Sequence, residues 1–242
     1  MCYNRLMSKT LFLSIVAAFA VFLSSCATQV TGILQADGSA GLDISAALQP
    51  RIAALVNGFS MAAGMAPGTP LLDASAVSAS LSAAAGIESA QLSNSSPVAI
   101  GGHISVSQIG SFLASGNTDF ITFTQEPSGG GRFTAALNRS NAGEVLNMVS
   151  PDVVSYLSAL MAPIATGEVM SRDDYMSIVA SVYGQEVAVE MENTTIRISI
   201  DFPGTVTGAK GGTFSGKKVQ FDIPLLDVLV MEEPLSYEAS WR

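Results

Sequence analysis

Histidine, cysteine, aromatic residues and charges are all scarce in this chain, and each shortage closes a class of function. With one histidine, His103 in IGGHIS, and two cysteines, the His and Cys sets that hold zinc cannot be assembled. A serine hydrolase needs a base beside its nucleophile. Gly58-Phe59-Ser60-Met61-Ala62 has the outline of a nucleophile elbow, but it ends in Ala and no strand precedes it. His103, flanked by two glycines on a predicted strand, reads as a packed or surface residue. Paired carboxylates could serve glycoside hydrolysis, yet aromatics make up 7% of the chain with a single tryptophan, too few for sugar-stacking platforms. Basic residues number 11 against 20 acidic ones, a balance that repels nucleic-acid phosphate. The basic cluster Lys210, Lys217 and Lys218 is too small to reverse it. GGTFSGKK, residues 211–218, has phosphate-loop spacing at Gly211, Gly216 and Lys217, but Lys218 stands where Ser or Thr would hold magnesium. The following VQFDIP reads as a strand where that loop needs a helix. No catalytic residue, metal site or cofactor is expected, and the chain is not read as an enzyme.

What is present begins at the amino terminus. Arg5 and Lys9, with no acid nearby, precede LFLSIVAAFAVFL, residues 11–23, in which Ser14 alone is polar. Thirteen helical residues span roughly 20 Å, short of a hydrocarbon core of roughly 30 Å, so an export signal fits better than a permanent span. Leu23-Ser24-Ser25-Cys26 then resembles the lipobox of bacterial lipoproteins. That resemblance implies recognition of Leu23, Ser24 and Ser25 by a signal peptidase, diacylglycerol on the Cys26 thiol, cleavage before Cys26, and acylation, with palmitate or a similar chain, of the new amino terminus. Two or more acyl chains make a stable membrane anchor. Cys2 leaves with the leader and Cys26 becomes a thioether, so neither a free thiol nor a disulfide is expected. Loss of Arg5 and Lys9 leaves nine basic residues against 20 acidic.

The expected organisation is a signal peptide over residues 1–25, a lipidated residue with a short tether over 26–29, and one domain over 30–242. An alanine-rich apolar fraction of 48% favours a small-residue core. Asp37-Gly38 separates two strand-like runs, a strong hairpin signal. Pro50 opens a helix with Ile52, Leu55, Val56 and Phe59 on one face, and Asp73 can cap a second helix that Gly86 ends. Strands follow at residues 87–92 and 98–105, then a helical turn near Ile109 and Phe112, then a hairpin formed by FITFT and RFTAAL. Helices are expected at 142–149, 152–160 and 172–183, the last capped by Ser171 and burying Tyr175, Ile178, Val179 and Val182. EVAVEMENTTIRISID, residues 186–201, reads as a hairpin turning at Asn193-Thr194, with Met191 facing Ile196 and Glu190 facing Arg197. Val219, Phe221 and Ile223 share a strand face. LLDVLVMEE fits either a buried strand or a short helix, and LSYEASW a last strand in which Trp241 packs on the sheet. The fold class is α+β, an antiparallel sheet built from hairpins against Ala-rich helices.

The alternating strand after Cys26, its Asp37-Gly38 turn and the closing FDIPLLDVLVMEEPLSYEASW resemble LppM-type envelope lipoproteins and lipoproteins of spirochaete-like bacteria. That resemblance implies an α+β domain with lipid contact and transfers no functional residue. The expected role is a non-enzymatic lipoprotein of the bacterial cell envelope, held to an outer or periplasm-facing inner membrane. Its expected ligand is a lipid or another apolar molecule taken under the uncharged helices of residues 50–85. The alternative is a structural or assembly module that docks onto other envelope proteins.

Overall fold

Apolar alternation and turn chemistry produce the first hairpin. The computed structural model describes residues 27–66, 68–71, 73–115, 120–126, 129–146 and 151–242. Strand β1 (Ala27–Leu34) turns into β2 (Ala40–Ala47) through Gly38 at φ 84°, a conformation glycine adopts without steric cost. The Asp37 carboxylate accepts from the Ser39 N–H (2.9 Å) and hydroxyl (2.6 Å), and these bonds hold its carboxyl below the usual range. Ala27 to Gln29, expected as a spacer, belong to β1 instead: Ala27 pairs with Thr195, and Thr28 is buried.

Helix α1 (Pro50–Ala62) and helix α2 (Ala74–Ser82) follow. Asp73 caps α2, its Oδ1 accepting from Ser75 N–H at 2.9 Å and Ala76 N–H at 3.1 Å. Strands β3 (Ile87–Ser96) and β4 (Ala99–Val106) come next, then α3 (Ile109–Ser115), β5 (Ile121–Gln125) and β6 (Gly131–Leu137). Four helices continue the chain: α4 (Ala142–Leu146), α5 (Pro151–Ala159), α6 (Pro163–Thr166) and α7 (Arg172–Tyr183). The Ser171 hydroxyl caps α7 by accepting from Asp174 N–H at 3.1 Å. Tyr175 and Val179 are fully buried on α7 and Ile178 partly so, but Val182 is 57% exposed, so the expected stripe stops a turn early.

Helix α8 (Gln185–Glu192) replaces the first arm of the expected 186–201 hairpin, and only β7 (Thr195–Asp201) is extended. The same residues satisfy both periods: Val187, Ala188 and Met191 make one buried helical stripe. Ala, Glu and Met favour helix, and that preference prevails. Arg197 accordingly pairs with Asp222 at 2.7 Å and not with Glu190.

Strands β8 (Val206–Lys210), β9 (Thr213–Ser215) and β10 (Lys218–Pro224) lead to α9 (Leu225–Val230) and β11 (Leu235–Trp241). The undecided run at 225–230 is thus a helix. Five of its six residues are buried, and Asp227 meets Arg172 at 3.1 Å.

The strands form two sheets, ordered β3-β4-β2-β1-β7-β10-β9 and β5-β6-β11-β8. Eight of the nine pairings among the described residues are antiparallel, four of them hairpins, but β1 runs parallel to β7, so the expected antiparallel sheet is corrected at its centre. Helices cover one face of the larger sheet. Its other face carries in-register polar pairs: His103 with Asp43 (2.8 Å), Arg197 with Asp222 (2.7 Å) and Lys218 with Asp201 (3.6 Å). The edge strand β3 is closed by α2, whose Ser82 and Ser78 hydroxyls accept from Ala90 N–H (3.2 Å) and Leu92 N–H (2.9 Å). Occupying those amides removes a template for strand addition. The two sheets meet through Trp241, Phe202, Phe123, Phe221, Phe133 and Tyr237, and one continuous core joins them.

Candidate functional site

The sheet end where β1 starts gathers the features with functional potential. The register of β1 against β2 places Gln29 opposite Ser45, so β1 begins beside the last residues of β2. From there the chain enters α1, while Leu48 N–H donates to Val98 O (3.0 Å) and Leu71 N–H to Pro97 O (2.9 Å). These bonds draw the β2–α1 connection, the α1–α2 loop and the β3–β4 turn onto one rim.

An apolar cleft opens under that rim. Leu48, Val56, Leu71, Val98, Ile100 and Val153 line it together with Tyr156, Leu157 and Asn94. It lies against α1, in the region expected to hold an apolar ligand. Its volume is about 30 Å³, room for one water-sized body, whereas pockets that enclose a ligand run to roughly 300–1,000 Å³. The polar groups around it are engaged within the fold. The Ser60 hydroxyl donates to Val56 O at 3.0 Å and shares a 3.0 Å bond with the Tyr156 hydroxyl. The Asn94 side chain accepts from Ala74 N–H (3.1 Å) and donates to Ala99 O (3.3 Å). Strands and helices distant in sequence supply this lining. The spacing on α1 points to Val56, whereas nothing local points to Asn94, Val153 or Leu157.

On the other half of the rim lies an open groove of about 480 Å³ where the charged Arg51, Glu186 and Glu190 flank the exposed side chain of Val189. The Glu190 carboxylate sits at the α1 amino terminus, accepting from Arg51 N–H (3.1 Å) and Ile52 N–H (2.8 Å). A carboxylate there satisfies orphan amides and complements the helix dipole. Glu190→Ala is expected to lower stability by about 1 kcal/mol and Glu186→Gln by almost nothing, because the Arg51–Glu186 pair is solvent-exposed. Urea midpoints of the two variants check the contrast. Equal losses would show that Glu190 is only another surface carboxylate.

The remaining sequence candidates do not converge. His103 bonds Asp43 on the outer face of the sheet, whereas Ser60 is buried on the helical side, so the sheet separates nucleophile from base. GGTFSGKK forms a turn, β9 and the start of β10, and no helix follows its glycines. Among the described residues no three His, Cys, Asp or Glu side chains gather as a metal site, and no helix is long and apolar enough to cross a membrane. Leu23, Ser24, Ser25 and Cys26, with the leader before them, lie outside the described residues.

No family model matches the chain, and no curated protein matches it. Among solved structures, the folded domain of Mycobacterium tuberculosis LppM, determined by NMR, is similar to it at 14% identity, with 89% of this chain and 88% of that chain covered and a TM-score of 0.38.

Proposed function

We propose that this chain is a lipid-anchored, non-enzymatic domain of the bacterial envelope, tethered through Cys26 and working at the membrane surface as a binding module. The observation that supports it most is the position of β1. Its first residue, Ala27, follows the lipobox cysteine directly and is already paired with β7. An acylated Cys26 would therefore hold a rigid sheet against the bilayer with no flexible tether between. A cleft of about 30 Å³ cannot enclose an acyl chain, so the apolar contacts of this reading are made at the rim surface. The apolar lining of that cleft, on the same rim, favours membrane lipid as the contact over a soluble ligand.

Mass spectrometry of the amino-terminal peptide from membrane-extracted protein tests the anchor. The expected peptide starts at Cys26 and carries a thioether diacylglycerol and an amide-linked acyl chain. A peptide that starts upstream, or an unmodified thiol at Cys26, would remove the basis of the reading. The docking alternative predicts a different result, specific protein adducts on crosslinking in intact cells.

A further inference from the structure

We infer that the charge-free loop between α1 and α2, together with the β3–β4 turn at Pro97, lies in the boundary between headgroups and acyl chains of the membrane that anchors Cys26. The inference rests on the anchoring reading and adds the orientation of the domain. Residues 52–72 contain no Asp, Glu, Lys, Arg or His. The next charge, Asp73, is occupied in capping α2. Within this stretch Met61 is 59% exposed, and Ala66, Thr69 and Pro70 are exposed with it, as is Pro97 across the Leu71 N–H to Pro97 O bond. An uncharged surface of Met, Ala and Pro gains nothing from water and loses little in a lipid interface.

Its place in the fold turns composition into orientation. The loop shares a sheet end with Ala27, and one extended residue spans at most about 3.6 Å, so the acylated residue cannot hold this rim away from the bilayer. The far end lies about 25 Å away, eight strand residues at roughly 3.3 Å each. Lys217, Lys218 and Asp37 cluster there. The rim itself is divided: Arg51, Glu186, Glu190 and Glu192 occupy the half beside α8, while the half beside Pro97 carries one charge, Asp73, whose carboxylate accepts from two amides of α2. A domain pinned between the two leans onto the half with fewer charges, because desolvating carboxylates is costly and desolvating Met and Pro is not. With no cation in the contact, attachment in this pose is insensitive to salt, unlike that of a polybasic segment.

The acylated chain offers a clean test, since its two native cysteines are either removed with the leader or blocked. Ala66→Cys and Ser215→Cys, the latter opposite Lys218 at the far end, each carry an environment-sensitive fluorophore, and the full acylated protein is reconstituted in vesicles of phosphatidylcholine and phosphatidylglycerol. The label at residue 66 is expected to shift to the blue and to lose its emission to a lipid-borne quencher, in low and high salt alike. The label at residue 215 keeps its aqueous spectrum. Equal, water-like spectra at both sites, with Cys26 shown by mass to be acylated, would overturn the orientation and leave the anchor standing. An unacylated Cys26 would overturn both. Blue-shifting at residue 66 that high salt abolishes would overturn the uncharged contact.

Discussion

Trp241→Ala is expected to remove about 3–5 kcal/mol of unfolding free energy, the usual range for deleting a buried large aromatic side chain. The indole is 1% exposed and stacks on Phe202 at 4.6 Å and on Phe123 at 5.8 Å. It thus joins the loop after β7 to the outer strand β5 of the smaller sheet. Gly131 makes this possible: a Cβ there would stand 2.3 Å from the indole Cζ2, so the ring lies directly over bare backbone. The indole N–H has no hydrogen-bond partner among the described residues, and a buried unpaired donor costs about 1–3 kcal/mol. Trp241→Phe removes that donor along with the ring volume. It is expected to lose less than half of what Trp241→Ala loses. Urea unfolding followed by circular dichroism gives both values, since the variants lack the chain's sole tryptophan and its fluorescence. A loss for Trp241→Ala below about 1 kcal/mol, the typical effect of an unremarkable substitution, would show that the two sheets do not depend on this contact.

Stability is also expected to fall on the alkaline side, beginning near pH 10, where an exposed phenol ionises. Burial, then the neighbouring Tyr183, raises the pKa of Tyr175 above that value. The Tyr175 hydroxyl donates to Leu160 O at 3.1 Å in the buried seam between α7 and the end of α5. Burial raises Tyr183 as well, and burial followed by Asp227 raises Tyr237. Above about pH 10 the unfolded chain releases phenolic protons that the folded chain retains, so stability is intact below that pH and declines as pH rises. Tyr175, the most deeply buried of the three, contributes a slope of up to about 1.4 kcal/mol per pH unit, and the more exposed Tyr183 and Tyr237 contribute less. Tyr175→Phe costs about 1 kcal/mol at neutral pH through the lost hydrogen bond, and the alkaline decline becomes shallower by one proton. Urea midpoints from about pH 8 to about pH 11 measure both effects. An unchanged slope in the variant would show that Tyr175 ionises freely.

Much of the fold could be read locally. The Asp37-Gly38 hairpin, the Asp73 and Ser171 caps and the final strand each rest on a turn or cap whose chemistry is complete within a few residues. The region around α8 could not be read so. Val187, Val189 and Met191 alternate as a strand would, while Val187, Ala188 and Met191 repeat as a helix would, and the decision depends on α1, whose amides take the Glu190 carboxylate. The parallel union of β1 with β7 was equally hidden. It joins residues 168 positions apart, Ala27 with Thr195, and side-chain alternation carries no record of a partner's direction. The candidate site shows the same division. The uncharged run after Arg51 is plain in the sequence. That it shares a rim with Pro97 and Ala27 follows only from strand register.

The parallel pairing also bears on how the molecule is assembled. β1 is the first strand of the domain to be synthesised, and β7 flanks it on one side, so β1 keeps an open edge until residue 201 has emerged. Contacts so far apart in the chain form slowly, and an exposed edge during that wait invites wrong pairings. The earliest strand therefore stays open while β2 to β6 are made, and a nascent chain stopped short of β7 would present half a ladder to whatever chaperone meets it.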